Sequence, residues 1–319
     1  MSPEDKETMK SQWAIKILES AEEIKAVEDL QRIVWPGSET AIVPLHLLVT
    51  VANNGGLVIG AFLKPGAEEE SGPDTEKNTN LLIGFVFSFP GFYFTPDGPR
   101  LKHCSHMLGV RSEYRNLGIG FALKRAQWQM VRHQGIDRIT WTYDPLLSRN
   151  AHLNISRLGA VCSTYHNELY GEMLDGLNAG LPSDRLEVDW WVNSHRVFKR
   201  LSRRPRLPLD LAHFLAGGAT IVNPSQAGVG QWLRPTSSYN LLATVQDEEK
   251  NESILLVEIP TDFESLKSAD LGLAKEWRLH TRELFAVLFA RGYLITDFIV
   301  LPGSPSRAFY VLSHGDSTL

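Results

Sequence analysis

Between His106 and Gln127 the chain reads HMLGVRSEYRNLGIGFALKRAQ, and the stretch carries residues for two kinds of chemistry. The run Arg115-Asn116-Leu117-Gly118-Ile119-Gly120 follows an apolar, strand-like segment and opens a helical pattern. At such a junction the unpaired N–H groups of the first helical turn converge on one spot, and the helix dipole adds partial positive charge. Gly118 and Gly120 lack the Cβ atoms that would hold an anion away from the backbone, and Arg115 can neutralise it from the side. The physics is that of a phosphate or pyrophosphate cradle. His106 adds an imidazole, the one side chain that ordinarily exchanges a proton near neutral pH.

Spacing narrows the anion. A nucleoside-triphosphate loop needs a lysine and a hydroxyl directly after its last glycine, where this chain has Phe121 and Ala122. A dinucleotide fingerprint needs a third small residue three positions further on, and that position is Leu123.

A cradle works only if a strand and a helix hold it in place. Trp13 to Leu18 reads as a strand, and Ser20 with Glu23 forms a capping-box pattern. The helix that follows has Ile24, Val27, Leu30 and Val34 on one face, and Pro36-Gly37 ends it. A second short helix is expected over Leu45 to Val51 and a buried strand over Gly55 to Lys64. Pro65 to Asn80 is a polar hairpin connection. Leu81 to Phe94 is a strand that Pro90-Gly91 kinks or ends, and Leu101 to Val110 is the next. Phe121 to His133 reads as a helix closed by Gly135, followed by a strand over Ile136 to Tyr143. A helix over Asn150 to Gly159 and a strand over Ala160 to Gly171 complete the run.

This order predicts an α/β (α+β) fold, a mixed and mostly antiparallel sheet flanked by helices, over residues 11–194. The charged, proline-broken stretch beyond Ser194, with the basic run Lys199 to Arg206, reads as a connection rather than a nucleic-acid patch. Residues 195–319 then form a C-terminal α/β subdomain. It has a strand over Ser253 to Pro260, a helix over Ser265 to Arg291 stopped by Gly292, and strands over Tyr293 to Leu301 and Arg307 to Ser313. Its strand–helix–strand–strand order leaves open a degenerate duplication of half of the first domain, without a residue-level repeat.

Composition fits a globular protein, with 43% apolar and 22% charged residues. A net charge of −5 and a pI near 6.1 provide no general attraction to nucleic acid or to an anionic membrane. Two cysteines, Cys104 and Cys162, are too few for a disulfide framework or a cysteine-based zinc site. The polar N-terminus lacks a signal-peptide core, and no window approaches the length of a spanning helix, so the expected location is the cytoplasm.

The strand HMLGV followed by RSEYRNLGIGFALKRA resembles the acyl-CoA-binding signature of the GNAT superfamily of N-acetyltransferases, R/Q-x-x-G-x-G/A. The upstream L-x-V is matched by Leu108-Gly109-Val110, and NAHLNISRLGA resembles the second signature. The resemblance covers roughly Trp13 to Trp191. Within it, WTYDPLLSRNAHLNISRLGA and YGEMLDGLNAGLPSDRLEVDWW look like a branch of predicted acyltransferases that carries a C-terminal extension. The resemblance implies acetyl-CoA or succinyl-CoA as co-substrate and no metal. Its pyrophosphate would lie on the N–H groups of Asn116, Leu117, Gly118, Ile119 and Gly120, beside Arg115. The pantetheine arm would pair with the backbone of Leu108, Gly109 and Val110, bringing the thioester carbonyl near the Val110 N–H. Asn150 and Asn154 would touch the far side of that arm.

Acyl transfer to an amine needs a base, and His106 is the leading candidate. It precedes Leu108 by two, so strict alternation puts both on one strand face. The resemblance also offers a histidine on this strand in the arylalkylamine branch, but its second histidine is replaced here by Cys104, leaving His103 and Ser105 nearby. The tyrosine that many members carry four residues before the glycine of the second signature is Ile155 here. Tyr165, ahead of Tyr143 and Tyr170, is then the candidate acid, with water as an equal alternative. Asp144 and Arg185 lie in turn-forming stretches where acceptors would bind, and Arg185 suits the carboxylate of an amino acid. The expected partner is a small-molecule amine, with a homodimer left open. The alternative reading is a non-catalytic CoA-binding regulatory or sensing module.

Overall fold

In the computed structural model, the structure describes residues 12–37, 39–64, 81–173, 179–202, 209–227, 232–236 and 254–314. The expected connection at Pro65 to Asn80 and residues 203–206 of the basic run lie outside them. The chain forms two compact units, 1–140 and 141–319.

The first unit begins with β1 (Trp13–Ile17) and α1 (Ala21–Val34), whose start is fixed as the sequence predicts. Ser20 Oγ accepts from the Glu23 N–H at 3.3 Å, and the Glu23 carboxylate accepts from the Ser20 N–H. Next come α2 (Leu45–Ala52), β2 (Leu57–Leu63), β3 (Leu82–Thr95), β4 (Gly98–Val110), α3 (Ile119–His133) and the start of β5 (Arg138–Tyr143). β1, β2, β3 and β4 are successively antiparallel. β5 joins β4 in parallel, with His103 beside Ile139 and Cys104 beside Thr140.

Helices α1 and α2 cover one sheet face. Ile24, Val27 and Leu30, at helical spacing, are buried with Leu48, Val58, Phe85 and Phe87. Each such side chain contributes about 1.5–3 kcal/mol by leaving water. Helix α3 covers the opposite face through Ile119, Leu123, Trp128 and Val131.

Pro90 does not end β3, which runs on to Thr95 and pairs with β4 from Gly84 to Thr95. The β2 ladder stops at Leu57 opposite Ser88. Among the described residues, Pro90 therefore lies where β3 has β4 as its only ladder partner, and a sheet edge tolerates a missing N–H.

The second unit opens with the end of β5, then α4 (Ser148–Ala151), which continues as a π-helical turn over His152–Arg157. It proceeds through β6 (Val161–His166), β7 (Arg185–Trp191), α5 (His195–Leu201), α6 (Leu211–Ala216), β8 (Thr220–Ile221), β9 (Gln226–Ala227) and β10 (Leu233–Arg234). After β11 (Ile254–Ile259) come α7 (Phe263–Ala269), α8 (Leu271–Ala290), β12 (Tyr293–Leu301) and β13 (Arg307–His314). The expected long helix is thus two, because Asp270 breaks the run and caps α8 through the Leu273 N–H at 2.9 Å. His195–Leu201, expected as part of a connection, is a helix capped by Ser194.

Strand order in the second unit is β5-β7-β6-β12-β13-β11-β8, with β9 and β10 as a separate ribbon. β7 lies between β5 and β6, and β13 between β11 and β12. β8 runs parallel to β11, as β4 does to β5 in the first unit.

The break between the units falls inside β5. Tyr143, Asp144, Cys162 and Asp184 are fastened to α8, β12 and β13 by long-range contacts. Arg278 pairs with Asp144, Arg282 pairs with Asp184 at 2.7 Å, Cys162 sits opposite Ile295, and Tyr143 donates to Tyr310 at 3.2 Å. Among the described residues no helix is long and apolar enough to cross a membrane.

Candidate active site

The cradle sits where β4 ends and α3 begins. A single 3₁₀ turn over Ser112–Tyr114 reverses the chain, and Asn116 and Gly118 both take positive φ, 67° and 83°. Gly118 is the N-cap of α3, and a Cβ added to it would meet nothing within 4 Å. Its glycine is therefore required for conformation, and the space beside it is open. The first amide with a helical partner is that of Ala122, bonded to the Gly118 carbonyl at 3.0 Å. In an α-helix the amides of the first turn have no acceptor within the helix itself. Arg115 is exposed, and its Nε donates to the Val110 carbonyl at 3.3 Å, which ties the guanidinium to the end of β4. Backbone donors, an open space and a tethered cation fit a pyrophosphate. Alanine at position 118 costs roughly 1–2 kcal/mol in this left-handed conformation. The expected result is weaker CoA binding by calorimetry, and unaltered binding would remove the cradle from that role.

β4 supplies the rest of the site in the first unit. Its ladder with β3 shifts between Phe87, opposite Met107, and Ser88, opposite Ser105, so His106 is an extra residue in a β-bulge. The bulge overturns the expected alternation. The His106 ring lies 6.0 Å from those of Phe87 and Phe89, on the face of α1 and α2. Leu108 pairs with Val86, which lies between Phe85 and Phe87 in β3 and so points to the other face. Gly109 permits close packing on the His106 face, since a Cβ there would come within 2.9 Å of the Phe85 ring and 3.2 Å of Trp35. Leu108, Gly109 and Val110 pair with β3 on one edge, while β5 engages β4 at His103 and Cys104.

His106 is exposed in part, and packing against the phenylalanine rings pulls its pKa below the ordinary 6.5. It is thus a neutral base at neutral pH. Ser105 turns the other way and is buried. Its hydroxyl is engaged by Lys124 Nζ at 2.8 Å and by Gln127 Nε2 at 3.1 Å, both on α3. His103 is fully buried, with Nδ1 3.2 Å from Ser88 Oγ.

The remaining candidates belong to the second unit, which brings Tyr165, Asp144 and Arg185 into structural networks. Tyr165 donates to Asp184 at 2.9 Å and stacks on Phe285, and burial pushes its phenol pKa far up. Asp144 accepts from Arg278 and from the Leu146 N–H at 2.9 Å. Arg185 is buried rather than exposed as a clamp. Its Nη1 donates to the Asp184 carbonyl at 2.8 Å, and its guanidinium lies 5.4 Å from the centre of the Tyr170 ring. Asn150 lines an open pocket of about 470 Å³ with Ser148, Arg149 and residues 261–265. Asn154 is buried in the π-helical turn.

Sequence reasoning passed over Lys124 and Gln127, although both fall on the buried positions of α3. A charged residue in the apolar stripe of a helix was the available signal. Arg278 and Asp184 gave no comparable local sign.

No family model and no curated protein matches the chain. Solved structures do match at low identity. The NatC complex bound to a Gag peptide and CoA is 18% identical, with 56% of this chain and 97% of that one covered and a TM-score of 0.41. Arabidopsis thaliana NAA60 in complex with acetyl-CoA is 16% identical, with 56% and 99% covered and a TM-score of 0.42. A GNAT-family acetyltransferase from Desulfovibrio desulfuricans is 14% identical, with 56% and 99% covered and a TM-score of 0.40.

Proposed function

We propose that the protein is an acyl-CoA-dependent N-acyltransferase, using acetyl-CoA or succinyl-CoA and acting on the amine of a small molecule such as an amino acid. The observation that carries this reading is the cradle at Asn116 to Gly120 directly downstream of the strand that bears His106.

In this proposal the first-turn amides of α3 and Arg115 bind the pyrophosphate, and the free backbone edge of β4 beyond Cys104 takes up the amide-rich arm. The Val110 N–H faces the oxygen on which negative charge develops. His106, neutral at pH 7, accepts the proton of the attacking amine, which approaches from the face of α1 and α2. Because Tyr165 already donates its hydroxyl to Asp184, water returns the proton to the departing thiolate.

The decisive experiment is thiol release from acetyl-CoA and succinyl-CoA against a panel of amino acids and small amines. Acceptor-dependent release supports the proposal. Tight CoA binding with no release across the panel supports a CoA-binding regulatory module instead.

A further inference from the structure

We infer that Lys124 is a positioning residue that fixes the β4 bulge and thereby turns His106 to its working face; this deepens the acyl-transfer reading above and rests on it. A β-bulge leaves its extra residue without a ladder partner, so ladder pairing alone does not settle which residue is extruded. The neighbouring Ser105 is what the structure pins. Lys124 Nζ donates to Ser105 Oγ at 2.8 Å and to Gln127 Oε1 at 3.1 Å, while Gln127 Nε2 donates to Ser105 Oγ at 3.1 Å. Those three side chains close a compact buried triangle between α3 and β4, with Lys124 only 2% exposed.

Holding Ser105 against α3 commits the following residue, His106, to the extra position and to the Phe87 and Phe89 rings. A one-residue slip of the bulge would send the imidazole elsewhere. Burying an amine is among the more expensive choices a core can make, and a methionine would fill similar volume without that penalty. Lys124 also lies on the helix whose first turn forms the cradle. The same triangle therefore ties the phosphate end of the site to the strand that carries the base.

The test uses the full chain with Lys124→Met, and with Ser105→Ala as a second variant that removes the link from the strand side without adding bulk. Two readouts are needed. Nuclear Overhauser contacts between the His106 imidazole and the Phe87 and Phe89 rings require neither donor nor turnover. They are expected in the wild type and lost or redistributed in both variants. Steady-state kinetics should show kcat lowered by about 10- to 100-fold, the scale of a small misplacement of a reacting group, with the KM for acetyl-CoA changed less than about threefold. Unchanged ring contacts in both variants overturn the inference, as does a kcat that falls only in step with a loss of thermal stability. Because the ring contacts do not depend on acyl transfer, a chain that binds CoA but transfers nothing leaves the positioning result readable by itself.

Discussion

Under the proposed acyl transfer, replacing His106 with glutamine should lower kcat by about 100- to 10,000-fold, the usual contribution of a positioned general base. Glutamine keeps the size and some of the polarity of the imidazole but cannot accept the proton. The wild-type profile supplies the sharper signature. Packing against Phe87 and Phe89 holds the His106 pKa below 6.5, so its neutral form persists to lower pH than that of an unperturbed imidazole. The rate should rise through an apparent pKa below 6.5 and stay level above it, and this acid limb should vanish in His106→Gln. Since the ring is partly exposed, the thermal midpoint should barely move. A variant with unchanged kcat and an unchanged limb removes His106 from the chemistry, whatever the outcome at the cradle.

The largest stability effect lies in the second unit. Asp144→Asn takes away the counter-charge of Arg278, whose side chain is 1% exposed. Leaving one partner of a buried pair uncompensated costs about 3–5 kcal/mol. Asp184 cannot stand in, because its carboxylate is held by Arg282, Tyr165 and the Glu168 N–H. The measurement is the urea midpoint of the full chain. Removing both charges together, Asp144→Leu with Arg278→Met, should restore most of the loss, since neither ion then remains buried alone. A single variant as stable as the wild type would show that the pair is effectively solvated. Either result also bears on Asp144 as an acceptor-binding residue, because a carboxylate engaged this deeply is a poor ligand for an incoming amine.

Lys124→Met carries a signed stability prediction of its own. Burial lowers the Lys124 pKa well below 10.5, so the folded state is penalised at every pH below that value, where the unfolded lysine takes up a proton that the buried one resists. The methionine variant should therefore be at least as stable as the wild type at pH 7, with the difference shrinking as the pH approaches 10.5. Thermal melts at pH 7 and pH 10 check the sign.

Local signals in the chain were the readable ones. The Ser20–Glu23 box, the apolar face of α1 and the helix over α3 depend on residues three or four apart, and the structure reproduces them. The helix start at Gly118 was legible for the same reason, since a helix start after a strand is a short-range event. The bulge at His106 was not. Period-two alternation assumes an unbroken ladder, and nothing in HCSHMLG marks where one residue is extruded. The proline-broken stretch after Ser194 looks like a boundary, yet the buried partners of Asp144 and Asp184 lie near 280, far outside any local window. The Tyr165 hydroxyl likewise has a partner, Asp184, nineteen positions away, which no local pattern marks.

The strand order of the second unit has a consequence for how the chain meets other chains. β6, which would otherwise present a row of free backbone groups, is met by β12 of the same molecule, and among the described residues the ladder beyond it runs out at β8. That last strand is two residues long, Thr220–Ile221. A foreign segment seeking a template would find scarcely one pair of amide and carbonyl groups to continue from, too little to nucleate a growing stack. Termination by brevity is thus built into this end of the ladder, and it protects the unit whenever its neighbours in solution are partly unfolded.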